Sequence, residues 1–466
     1  MNFLKKLTPF TLPLLLAACG NDDLDNSGIQ APNAYEFSSL TDPSAPTSVN
    51  NKEVITQLIL IKELEYLIGS GQLQITAQTG GKQGVINLLN RVYEGGSSSL
   101  KLNNLYDSSS TATPINGITT DLEKLQTDFS SLPSSINLKS NMPGINTDLV
   151  YRDDNDSSLG NLIGWGISGI LNKDEDQLGD KMIQAWFASI AVLAADDSTT
   201  IFRTNGLDYQ ALVTSFLSTA IPYFQTTNIL LNPKVGLKAS NSSQGQYTDL
   251  QHNWDLAFAY FGASHQYKLN SKSQNATDNG RDSNGDEHID LLSEFNFTHA
   301  KNTAIIDNSS VFSDVNYSQT IMQAFLDGRQ LIDEHLSTND EELLSQLNIQ
   351  ADIICKYWER AMAAKLIHHL NLSDIFANVY GQHPTFDESY AKNWAYAKSY
   401  ALALQFNPNS IITFDELAAE DGIHTLMTQN PETRSGNINS YRVKLLTARD
   451  NIANIYGFSE TNALNW

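Results

Sequence analysis

Glu53-Val-Ile-Thr-Gln-Leu-Ile-Leu-Ile-Lys-Glu-Leu-Glu-Tyr-Leu-Ile68 decides the fold class. Val54, Leu58, Ile61, Leu64 and Ile68 recur three and four residues apart, so they share one face of a helix. Asn50, with Glu53 three residues on, can cap its start, and Gly69 can end it. The same period returns along the chain. Residues 181–195 present Met182, Ala185, Trp186, Ile190 and Leu193 as an apolar face. Residues 209–231 present Leu212, Phe216, Ile221, Phe224 and Ile229, with Pro222 placed to kink the helix. Further helices are predicted over 250–261, 317–337, 341–347, 352–371, 387–404, 414–429 and 440–456. Alternating strand patterns joined by hairpin dipeptides are scarce. The expected fold is all-α, built of bundles.

Around these helices lie two polar tracts. Residues 19–50 are rich in Asn, Asp, Ser and Pro without an apolar period and read as a flexible stalk. Residues 95–160 turn polar, with serine runs at Ser98 and Ser108, and read as a long irregular insertion with short helices at most. A hydrophobic content of 41% places the bulk of the 466 residues in the globular class. The net charge of −23 disfavours nucleic acid or an anionic lipid surface as a partner and suits a cation or a basic protein.

The chain opens Met1-Asn-Phe-Leu-Lys5-Lys6, is largely apolar from Leu7 to Ala18, and reaches Leu16-Ala-Ala-Cys19. A basic start, a short apolar run and small residues before a cut site make a secretory signal, too short to span a bilayer. Its end resembles the bacterial lipoprotein box, which implies loss of residues 1–18 and acylation of Cys19, for instance by palmitate. The alternative is an ordinary signal peptide with an incidental cysteine. Multiple acyl chains would hold the protein on a membrane of the cell envelope. Gly20 in place of Asp after the cysteine is compatible with the outer membrane. With Cys19 used, only Cys355 remains, so no intrachain disulfide is possible and an inert thiol is expected.

A faint internal echo links His252-Asn-Trp-Asp255, followed by Phe258-Ala-Tyr-Phe261, with Lys392-Asn-Trp-Ala395, followed by Ser399-Tyr-Ala-Leu402; Trp358-Glu-Arg-Ala361 lies between them. These segments, with Ala324-Phe-Leu-Asp-Gly-Arg329 and the Asp-rich loop at 282–290, resemble a family of bacterial lipoproteins of unknown function, itself similar to the imelysins. The likeness runs from about Tyr35 onward. It implies an exported imelysin-like helical domain over 51–466, in approximate halves 51–310 and 311–466, associated with metal or iron acquisition. Imelysins carry a His-x-x-Glu pair that looks like two metal ligands on a helix. Here the corresponding pair is His252 and Asp255. Where relatives read His-Trp-x-Glu in the later motif, this chain has Asn393-Trp394-Ala395-Tyr396, which removes both candidate ligands there.

From the residues themselves, His252 and Asp255 stand three apart and neighbour each other on one helical face, where they could give two ligands to Zn or Fe. A histidine whose tautomer is set by the Asp beside Trp254 is the competing reading. His368, sharing a face with Tyr357, Ala361 and Ala364, is the candidate third ligand; a buried, hydrogen-bonded histidine is its alternative. Asp282, Asn284, Asp286 and Asp290 fall at positions 1, 3, 5 and 9 of an EF-hand-like calcium loop, with the His288 carbonyl at position 7. Glu287 replaces the turn glycine and Ser293 the bidentate glutamate, which leaves Glu294, one residue late, as substitute. A solvated Asx-turn loop ahead of a helix at Leu291 competes with calcium.

Signatures of zincins, serine hydrolases, phosphate loops and Cys-x-x-Cys redox centres are absent. The sequence therefore predicts a non-enzymatic, membrane-tethered lipoprotein that binds a metal ion or metal-bearing ligand in support of uptake. An envelope scaffold with a protein partner and a structural Ca2+ is the second reading, and a metallopeptidase the weakest.

Overall fold

A computed structural model describes residues 29–95, 136–143, 178–196, 206–242, 245–277, 280–285, 289–312, 315–380, 388–433 and 437–466. Helices dominate these residues, and the all-α expectation holds. The signal segment, Cys19, most of 95–160 and Asp286, Glu287 and His288 lie outside them.

The opening helix α1 (Lys52–Gly69) forms where its apolar period predicts and buries Val54, Leu58, Ile61, Leu64 and Ile68. Its cap is not as expected. Asn51 precedes it without a side-chain capping bond, and Asn50 and Asn51 instead donate to the Tyr247 hydroxyl and the Leu292 carbonyl. Tertiary partners outbid the local ones. Gly71, at φ +79°, then turns the chain into α2 (Gln72–Tyr93), a helix that periodicity does not announce. Its first half is polar, and Gly81 interrupts it at φ +60°.

Next come α3 (Leu178–Ala195) and α4 (Tyr209–Phe224), the latter capped by Asp208 accepting from the Ala211 amide. Pro222 removes one backbone donor near the end of α4, and the chain widens at once into a π-turn over Gln225–Leu230. A Thr248–Gln251 capping box starts α5 (Asp249–Phe261), and Gly262 ends it at φ +78°, where a Cβ would lie 2.7 Å from that of Phe297. The short α6 (Lys272–Thr277) and α7 (Thr298–Ser309) follow, both unheralded by an apolar stripe, and then α8 (Tyr317–Thr338).

Two boundaries differ from the sequence reading. The helices expected over 341–347 and 352–371 are one, α9 (Glu341–Tyr380), because residues 348–351 contain no breaker. Conversely, 414–429 divides into α11 (Phe414–Ala418) and α12 (Ile423–Met427) around Gly422, after α10 (Glu388–Ala403). The chain ends with α13 (Ile438–Ile455) and α14 (Glu460–Asn465). No described helix is long and apolar enough to cross a membrane.

Packing does not respect a division near residue 310. Helix α10 lies along α4 as well as α9, α8 packs on α5, and the buried apolar residues form one continuous cluster. Nor are residues 29–50 a free stalk. Tyr35 is fully buried, stacks on Phe258 with ring centroids 3.7 Å apart, and donates its amide to the His265 carbonyl. Phe37 and Ser48 are buried too. Two aromatic side chains reclaim this segment from a composition that otherwise reads as linker.

Candidate functional site

Helix α5 separates His252 from Asp255. The Asp255 carboxylate points inward, where its Oδ1 accepts from the Tyr35 hydroxyl at 2.8 Å and from Arg329 Nε at 3.0 Å. Arg329 is itself fully buried, bonding Asp333 through Nη1 and the Ser48 hydroxyl at 2.6 Å through Nη2, with its guanidinium 4.8 Å from the Phe37 ring. Burial works against its charge, but Asp255 and Asp333 outweigh it and hold the guanidinium protonated. Burial likewise pushes Asp255 up to about 6, with Arg329 pulling the other way. His252 meanwhile stacks on Tyr247 at 4.7 Å, and the acids that bear on its charge are Glu53 and Asp249.

Among the described residues His252 Nδ1 and Asp255 Oδ2 are each buried without a hydrogen-bond partner. Their neighbours differ: Tyr247, Glu53 and Asp249 bear on His252, whereas Tyr35 and Arg329 bear on Asp255. A guanidinium against the carboxylate opposes a divalent cation on electrostatic grounds. His368 sits on α9, half-buried against His369 and the backbone of Trp466, and burial pushes it down to about 4. The three sequence candidates for Zn or Fe are therefore dispersed. Among the described residues no group of three or more His, Cys, Asp or Glu side chains is placed to hold a metal ion.

Of the calcium loop, the described part shows Glu294 turned inward. Its Oε1 accepts from the Ser283 amide and hydroxyl, and its Oε2 from the Asp290 amide. Asp290 in turn accepts from the Leu292 amide and the Ser293 hydroxyl, while Asp282 accepts from the Gly285 amide in an Asx turn. Glu294 staples the loop to itself, a role the sequence reading assigned to calcium. Residues 291–294 form a turn; the next helix starts at Thr298.

The motifs that stood out in the sequence are packing devices. Trp254 donates its indole N–H to the Phe325 carbonyl and fits because residue 328 is glycine; a Cβ there would stand 1.9 Å from the indole. Trp358 donates to His299 Nδ1 and Trp394 to the Tyr441 hydroxyl. His299, accepting from Trp358 and pushed down to about 3 by burial, is held neutral. Next to Trp358, Glu359 is fully buried and accepts from five donors: the Tyr223 and Tyr456 hydroxyls, Asn407 Nδ2 and the Ile411 and Ile412 amides.

A cavity of about 440 Å³ opens between α1, α4, α7, α9 and α10. Lys365 and His369 line it from α9, Tyr396 and Tyr400 from α10, Asn302 from α7, and Thr214 from α4. His369 bonds Asn393 Oδ1 at 3.0 Å and stacks on Tyr400 at 6.0 Å, and Asn302 donates to the Tyr400 hydroxyl. Lys365 is only 6% exposed, and no acceptor among the described residues engages its ammonium. Burial alone pushes it down to about 8, which leaves it charged at neutral pH. The inward histidine of the pair is thus His369, and His368 is the outer one. Lys365 follows Trp358 by seven residues and precedes His369 by four, so all three share the buried face of α9. A lysine in phase with a core tryptophan was the signal available in the sequence.

Compared with known proteins, the chain matches no family model, and no curated protein or solved structure is significantly similar to it.

Proposed function

We propose that the chain is an exported, lipid-anchored and non-catalytic lipoprotein of imelysin-like type that binds a small ligand within its helical core in support of uptake. The anchor rests on the Leu16-Ala-Ala-Cys19 ending of the basic-apolar leader. The ligand-binding role rests on one observation, the Lys365 ammonium that lines a cavity between five helices and has no acceptor among the described residues. An uncompensated buried charge is costly, and such costs gather at sites kept for binding. The cavity has the size of an ordinary small-molecule site, roughly 300–1,000 Å³.

A metal carried directly by His252, Asp255 and His368 has less support, since those residues lie in separate surroundings. Native mass spectrometry of the full-length protein, purified from envelope membranes without chelators, tests the ligand reading. A stoichiometric small-molecule adduct that is shed on denaturation is expected; a bare mass overturns it. Elemental analysis of the same sample tests the metal reading, which gains if stoichiometric iron or zinc is lost in His252→Ala.

A further inference from the structure

We infer that the cavity between α1, α4, α7, α9 and α10 takes a small organic carboxylate, its anionic group on Lys365 Nζ and its flat body against His369, Tyr396 and Tyr400. This deepens the ligand-binding reading above and rests on it. The charge balance selects the ligand's sign. Lys62 and Glu65, both lining the cavity, pair with each other at 3.0 Å, and Lys301 has an interaction of its own. Among the described residues lining the cavity, Lys365 is the lysine whose ammonium no acceptor engages, so one negative charge completes the site.

The lining also argues against phosphate. A doubly charged tetrahedral anion is best met by several cations or by bidentate arginine, and no arginine among the described residues lines the cavity. The rings favour a planar body instead. His369 and Tyr400 lie nearly parallel, at 22°, and Tyr396 tilts against the same imidazole at 5.0 Å. A carboxylate on an aromatic or otherwise flat frame satisfies both halves.

Calorimetric titration of the purified full-length protein with phenylacetate, phenylacetamide and inorganic phosphate tests the class. Phenylacetate is expected to bind at one site per chain, and the neutral amide at least about tenfold more weakly. Phosphate should give no saturable heat. Lys365→Met should weaken phenylacetate by at least about tenfold without lowering the urea unfolding midpoint. Lys365→Gln repeats the test should the methionine variant fail to fold. Equal affinity for acid and amide, unchanged binding in both Lys365 variants, or no phenylacetate binding would each overturn the carboxylate site. Phosphate binding that requires Lys365 would also overturn the carboxylate class while leaving the ligand-binding reading intact. That broader reading falls separately, on a bare mass for the envelope-purified protein.

Discussion

Glu359 and Lys365 stand six residues apart on the same helix, both buried, and the protein treats them in opposite ways. Glu359 receives five donors from α4, from the 407–412 segment and from Tyr456 beyond α13. Lys365 receives no acceptor from the described residues. A buried charge surrounded by partners ties distant elements together, and its loss leaves those partners stranded. A buried charge without partners weakens the fold, so its value must lie elsewhere. The contrast separates architecture from site on a single helix face-by-face.

The sharpest way to break this contrast is Glu359→Ala. It should cost about 3–5 kcal/mol in urea unfolding, because five donors lose one acceptor together. A loss under about 1 kcal/mol would place Glu359 with Lys365 and not opposite it. Arg329→Met should cost a similar amount, about 3–5 kcal/mol at neutral pH, by leaving Asp255 and Asp333 buried without their cation. Burial holds Asp255 up at about 6 even with the guanidinium beside it, and removing that cation raises it further. Lowering the pH from neutral toward 6 should therefore already recover part of that loss.

His299 sharpens the comparison through pH. Its folded-state pKa is depressed to about 3 from an ordinary 6.5, so its contribution is present above pH 6.5 and fades as pH falls toward 3. Each pH unit in that window should cost roughly 1.4 kcal/mol through this one group. His299→Gln should therefore show a shallower decline in unfolding free energy from pH 6 to pH 4 than the parent protein. Identical slopes would remove His299 from the account.

Tyr35→Phe is a smaller probe. It deletes the hydroxyl that donates to Asp255 and should cost about 1.5 kcal/mol. No change in the unfolding midpoint would mean that the Tyr35 hydroxyl adds nothing to the Arg329 centre, leaving Ser48 and Phe37 to tie residues 29–50 to it. Smallest of all, Lys365→Met should leave stability within about 1 kcal/mol of the parent or raise it, since it exchanges an unpartnered ammonium for an apolar tip. A large loss there would make Lys365 one more structural charge.

Much of the scaffold was legible because local period carries it. The apolar spacing of 53–68, the kink signal of Pro222 and the helix around Trp254 all reappear in α1, in the π-turn after α4 and in α5. Where the reading failed, a local rule had met a distant partner. Asn50 looked like a cap and became a tertiary donor, as did Asn51 beside it, and α2 formed despite paired glycines. Asp255 beside His252 looked like half a metal site; Arg329, from another helix, and Tyr35, from the supposed stalk, claimed it. The two adjacent histidines illustrate the same limit: the face shared with Tyr357 favoured His368, whereas the face of Trp358 and Lys365 is the buried one and carries His369.

The sequence by itself determined that this is an all-α protein and which stripes of its main helices are apolar, because a 3.6-residue period needs no partner to be read. It also carries a basic and apolar start ending in Leu16-Ala-Ala-Cys19, a strictly local pattern on which the proposed leader rests. Only the tertiary structure decided which buried charges are neutralised and which one is left facing a cavity. Pairing across α4, α7, α9 and α10 depends on side chains far apart in the chain, and at such separations spacing carries no information about distance.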